Sequence, residues 1–269
     1  MKIITGYQEF KDIREELSEV SFIPTMGNLH AGHMSLLERA KTYNNHISVS
    51  IFINPLQFND KDDYINYPTT LDADLELLNE YGCDSVFIPD ATILEGINKI
   101  KAPIKSSFLC GANRPGHFDG VLTIVNRLFE IVKPTYSFFG NKDYQQLLLI
   151  SDYVKEKNLP ITIISVDTVR ENDGLALSSR NIRLSQDDRN KASSLYRALC
   201  AIKNEKYISS NFIQSQKKIL EQQGFTVDYL SPCNPNTLEI ASDFNERPMV
   251  VAIAASISGI RLIDNIIIT

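Results

Sequence analysis

His30 and His33 stand three residues apart in the stretch Val20-Ser-Phe-Ile-Pro-Thr-Met-Gly-Asn-Leu-His-Ala-Gly-His33, and the whole chain has only 4 histidines. Two imidazoles in one turn can donate hydrogen bonds and, when protonated, carry positive charge toward an anion. The flanking pattern suits the same chemistry. Val20 to Ile23 is a short apolar run closed by Pro24, which reads as a buried strand. Met34, Leu36, Leu37 and Ala40 then follow at helical spacing. A strand thus feeds a turn, and the turn feeds a helix whose first N–H groups and positive dipole end favour phosphate. Gly27 and Gly32 bracket the turn and let a ligand approach the backbone. Paired histidines also suit a metal, but no third ligand-like residue stands nearby. A strand, turn and helix by themselves are common to α/β proteins.

Other segments repeat this logic. His46 to Ile53 is a second β-rich run, so strand, helix and strand imply a parallel sheet. Ligands bind beyond the carboxyl ends of such strands, where Asn54 and Gln57 would offer neutral hydrogen bonds. Cys110 to Gly120 carries three Gly and one Pro and reads as a loop, with Arg114 and His117 supplying charge. Val121 to Val132 reads as a helix ended by Pro134. Tyr136 to Phe139 is a further strand, closed by Gly140-Asn-Lys-Asp143. The helix from Tyr144 to Val154 has Gln145 and Gln146 in its first turn. Lys142 in that turn is a mobile point charge suited to phosphate. After a strand at 161–166, Ser178, Ser179 and Arg180 combine hydroxyls with a guanidinium, a set suited to clamping phosphate. Each of these also reads as an ordinary polar loop.

Composition bounds the class. With 269 residues, 43% hydrophobic and 22% charged, the chain is an ordinary soluble type with material for a sizeable core. Its net charge of −6 creates no field for nucleic acid or an anionic membrane. No apolar run approaches the ~18 residues that span a bilayer. Cys83, Cys110, Cys200 and Cys233 are scattered, and the N-terminus has no apolar leader, so a reduced cytoplasmic setting is expected. From about Leu184 the character changes to charged helix and then three β-like runs. An α/β fold is expected, divided near 170–185 into domains over 1–175 and 176–269.

The segment Thr25 to His33 resembles the His-x-Gly-His signature of the nucleotidylyl transferase superfamily, and specifically that of the pantothenate synthetase family. Ser50 to Phe58, Arg114 to Val121, Phe138 to Gln146 and Val169 to Asn181 resemble further blocks of that family, in its order. The resemblance implies a Rossmann-like parallel-sheet nucleotide-binding domain with a smaller C-terminal α+β lid domain, usually in a homodimer. It implies a ligase that uses ATP with Mg²⁺ to join pantoate and β-alanine through a pantoyl adenylate. It places ATP on Met26, Gly27, Asn28, Leu29, His30, Ala31, Gly32 and His33. Further nucleotide contacts fall on Gly140, Asn141, Lys142, Asp143, Val169, Leu177, Ser178, Ser179 and Arg180. His33, His30 and Lys142 carry the catalytic roles, and Gln57 and Gln146 hold pantoate, with Asn54 beside them. Three positions depart from the pattern: Asn141 where Glu is usual, Leu177 where Met is common, and Thr69 where Arg is usual. The competing readings are a cofactor adenylyltransferase of the same superfamily and a non-catalytic nucleotide-binding protein. A phosphorylated acceptor would ask for more cations than the Gln57 and Gln146 amides supply.

Overall fold

The structure is a computed structural model and describes residues 1–269. Six strands build one sheet: β1 (Lys2–Ile4), β2 (Val20–Thr25), β3 (His46–Ile51), β4 (Ser85–Phe87), β5 (Tyr136–Gly140) and β6 (Thr162–Val166). Their order is β1-β4-β3-β2-β5-β6 and every pairing is parallel. In β2 every residue except Pro24 is buried. Burial on both faces, the habit of a parallel sheet, suits its mostly apolar content, with Ser21 and Thr25 as buried polar exceptions. β7 (Thr226–Cys233), β8 (Met249–Ile257) and β9 (Ile260–Ile268) form a separate antiparallel sheet in the order β7-β8-β9. No helix is long and apolar enough to cross a membrane.

Two compact units result. The first comprises Met1–Ala102, Pro115–Asn141 and Gln146–Asp167. Its core includes Ile23, Met34, Leu37, Val49, Val86 and Phe138, so the apolar stripe of helix Ala31–Lys41 is buried against the sheet. The second comprises Pro103–Arg114, Lys142–Gln145 and Thr168–Thr269. Its core joins Leu195, Leu199 and Ile202 to Val251, Ile253 and Leu262. More than one cut along the chain therefore separates them.

One expected loop is largely helical. Cys110–Asn113 is a short helix, and His117 opens the helix His117–Val132. Glycine content suggested a loop through Gly120, but Gly120 lies inside that helix as a packing contact and does not interrupt it.

The topology locates a crevice. β2 is flanked by β3 on one side and β5 on the other, so the strand order reverses there, and ligands bind at such a reversal. The chain leaves β2 into Met26–His33, leaves β3 into Asn54–Gln57, and leaves β5 into Asn141.

Candidate active site

The histidine turn is held from beneath by a carboxylate. Gly27 and Asn28 both take positive φ, 81° and 49°. This bend lets the amides of Asn28 and Leu29 each donate to Asp74, at 2.8 Å. Thr70 Oγ1 donates to the same carboxylate at 3.0 Å. Asp74 is only 3% exposed, so these three donors satisfy a charge removed from water. A side chain at Gly27 would lie 3.1 Å from both Asp74 Oδ2 and Ile51 Cγ2, which leaves little room for one.

Helix Ala31–Lys41 is then capped by the two histidines reciprocally. Gly32 N donates to His30 Nδ1 at 3.1 Å, and His30 N donates to His33 Nδ1 at 3.3 Å. The rings pack at 4.1 Å between centroids. An Nδ1 that accepts a backbone N–H cannot itself carry a proton, so each neutral ring bears its N–H on Nε2. The three-residue spacing thus aligns both imidazoles and sets their tautomer at a helix N-terminus, where partial positive charge collects.

Gln57 is surrounded by positioning contacts. Asn54 is 1% exposed, and its Nδ2 donates to Gln57 Oε1 at 3.0 Å and to Gly120 O at 3.1 Å. The Asn54 amide therefore orients Gln57 and the loop, where the sequence pattern had it facing the crevice. Gln57 Nε2 donates to Met26 Sδ at 3.2 Å, which ties the β3 exit to the β2 exit. The ring of His117 is buried and its Nδ1 meets Gln57 O at 2.7 Å, so it braces the loop from within. Gly120 allows this close approach. A Cβ there would sit 2.2 Å from Leu56 O and 2.8 Å from Gln57 N, both backbone atoms. Gly120→Ala is expected to lower stability by at least the ~1–3 kcal/mol usual for overpacking. Urea unfolding checks this, and a variant as stable as its parent would contradict the packing argument.

Lys142 and Arg180, the cations expected from the sequence to face phosphate, both fall in the second unit. Lys142 is largely buried, with Nζ 3.8 Å from Asp143 Oδ2. The hairpin from Val169 to Leu177 closes through Leu177 N to Val169 O at 3.0 Å and an Arg170–Ala176 bridge. It delivers Ser178, whose Oγ accepts from Arg180 N at 3.3 Å and caps the turn Ser179–Arg183. A small void in this unit is lined by Lys142, Ser178, Asn181 and Asp264 among others, so Lys142 and Ser178 come together although 36 positions apart (178 minus 142). Asn141, in the first unit, donates to Asp167 Oδ1 at 3.0 Å. Gln146 is half-buried in helix Tyr144–Glu156. Its neighbour Gln145 is buried and holds three backbone groups, Cys110 N, Lys105 O and Phe108 O.

Sequence reasoning passed over Asp74, Gly120, Asp264 and Asn265. Only Asp74 left a signal: it falls on the Leu71, Leu75, Leu78 stripe of its helix, where an acid must be buried and bonded.

The family described as pantoate-beta-alanine ligase matches residues 2–267. Among similar proteins, a pantothenate synthetase of Acinetobacter baumannii is 43% identical over 254 residues, 92% of this chain and 89% of the relative. One from Thermosipho africanus is 41% identical over the full length of both. A crystal structure of pantothenate synthetase from Thermus thermophilus superposes with a TM-score of 0.91 at 40% identity, covering 99% of each chain. That of the Francisella tularensis ligase, complexed with beta-gamma ATP and beta-alanine, has a TM-score of 0.86 at 33% identity and covers 99% of this chain and 97% of that one.

Proposed function

Because the chain belongs to the pantoate–β-alanine ligase family, and so is an ATP-dependent ligase that makes a C–N bond between pantoate and β-alanine, we propose that its reaction runs through a pantoyl adenylate. A pantoate carboxylate oxygen attacks the α-phosphorus of ATP, and the bond to the bridging oxygen breaks to release pyrophosphate. The neutral amine of β-alanine then attacks the acyl carbon. AMP leaves, the nitrogen loses a proton, and pantothenate is formed.

The first step needs charge stabilisation more than covalent help. In this reading His30 and His33 direct Nε2–H groups at the phosphates, and Lys142, Ser178, Ser179 and Arg180 supply further donors. His33 is the proton donor. Gly27 to Leu29, Ala31, Gly32, Gly140, Asn141, Asp143, Val169 and Leu177 contact the nucleotide, largely through backbone. Gln57 and Gln146 hold pantoate by neutral amides suited to its hydroxyls. The reciprocal histidine cap carries this reading, since it fixes two donors at the N-terminal end of a helix before any ligand arrives.

Mg²⁺ accompanies ATP in the same proposal. The chain has no group of three or more His, Cys, Asp or Glu side chains arranged to hold a metal. In this reading the ion is carried on the polyphosphate with its own water, the usual habit of Mg²⁺. The strand order around β2 supports the Rossmann-like reading of the nucleotide-binding part over 1–175, with 176–269 as the smaller α+β part. Four free cysteines support a reducing cytoplasm, and the homodimer rests on the family alone.

Exchange of labelled pyrophosphate into ATP tests the chemistry. Exchange that requires pantoate, with pantothenate appearing once β-alanine is added, is the expected result. Exchange indifferent to pantoate would point to a nucleotidylyl transfer that keeps the nucleotide on its product. No exchange, with ATP still bound, would leave a nucleotide-binding protein.

A further inference from the structure

The cation Lys142 sits on a short turn, and a lysine on a loose turn is a poorly aimed charge. What holds that turn lies 123 residues further on. Asn265 Nδ2 donates to Lys142 O at 2.9 Å. Asn265 is 8% exposed and lies on β9, whose only strand neighbour is β8.

Asn265 is itself held on both sides of its backbone. Its N–H donates to Asp264 Oδ1 at 2.8 Å, and its carbonyl accepts from Arg170 Nη2 at 3.3 Å. Asp264 and Arg170 form a two-point ion pair, with Nη1 to Oδ2 at 2.6 Å and Nη2 to Oδ1 at 2.9 Å. Arg170 Nη1 also donates to Gly174 O, and the guanidinium stacks 3.9 Å from the Tyr196 ring centroid. Successive strand residues point to opposite faces. Asp264 can therefore grip the Val169–Leu177 hairpin while Asn265 grips the Lys142 turn. One stretch of strand serves both loops.

We propose that Asn265 is a positioning residue for the ligase reaction, fixing the Lys142 turn from β9 so that the ammonium is aimed before ATP binds. The proposal rests on the assignment of Lys142 to the nucleotide. It implies that the lost bond is felt by ATP and hardly at all by the other two substrates.

The test uses the full chain and two variants, Asn265→Ala and Asn265→Asp. The alanine variant is expected to fold with a thermal midpoint close to the parent's. It should weaken ATP binding by about three- to tenfold, the scale of one lost hydrogen bond, and lower the rate of pantoate-dependent exchange. The KM values for pantoate and β-alanine should not move. Asn265→Asp keeps the shape but turns an acceptor oxygen toward the Lys142 carbonyl, so its loss of ATP affinity should be greater. Parental ATP affinity in both variants would overturn the proposal. So would losses that merely track the folded fraction with every KM unchanged, because those mark a structural role. ATP affinity is read by calorimetry, independently of turnover. A parent that binds ATP but shows no pantoate-dependent exchange therefore refutes the ligase chemistry while still testing Asn265. A parent that binds no ATP refutes both.

Discussion

His33→Ala is expected to reduce pantoate-dependent pyrophosphate exchange on the order of 10²–10³-fold, the usual loss when one preorganised donor is removed from a charge-stabilising site. The protein should still fold. His33 contributes little to the core of its helix, which Met34, Leu36, Leu37 and Ala40 provide. The substitution does remove the acceptor for His30 N, a capping loss of about 1 kcal/mol. A modest fall in thermal midpoint should accompany the large fall in rate. Single-turnover formation of the adenylate, followed by pyrophosphate release, separates the two. Parental turnover in a folded variant would remove His33 from the mechanism. A rate loss matched by wholesale unfolding would show the ring to be structural.

The largest stability effect is expected at Arg170. Asp264 has 3% of its side chain exposed, and the Arg170 guanidinium is its principal partner. Arg170→Leu would leave a carboxylate buried and uncompensated, at a cost of about 3–5 kcal/mol. The double variant Arg170→Leu with Asp264→Leu should recover most of that loss, since burying an ion pair is itself costly. If the double variant is no better than the single one, the packing of the guanidinium on Tyr196 matters more than the charge.

The pH dependence follows from Asp264. Burial pushes its pKa up, and the bonds from Arg170, the next influence, pull it down without reversing the direction. The folded value therefore lies above the unfolded one, and the unfolded chain releases its proton first as pH rises. Stability from this group is fully present below the unfolded value, about 3.9 for aspartate, and falls as pH rises toward the folded value. Without the guanidinium the folded value climbs further. The deficit of Arg170→Leu should be largest near neutrality and shrink as the pH is lowered toward about 4. Urea unfolding across that range reads it directly, and a deficit independent of pH would contradict the account.

The paired-histidine helix cap was legible in the sequence because its logic is local. His30 and His33 are three apart, and three residues is the distance over which a helix cap closes. Gly140 to Asp143 sits between a strand and a helix, so its position at a carboxyl end follows from chain order. The error at Cys110 to Gly120 has an equally local cause. Glycine marks a turn in isolation, and nothing near Gly120 in sequence reveals that Leu56 passes within reach of it.

The amino-acid sequence by itself determined the parallel α/β architecture, the strand–turn–helix with its paired imidazoles, and, through several blocks in order, the family and its reaction. These follow from periodicity, capping and short spacings, which act over a few residues. Only the tertiary structure decided what aims those groups. Asp74 reaches Asn28 and Leu29 across about 45 positions, His117 reaches Gln57 across 60, and Asn265 reaches Lys142 across 123. Each of those contacts comes into being only when elements distant in the chain are packed together, and no local pattern encodes a partner that burial alone brings near.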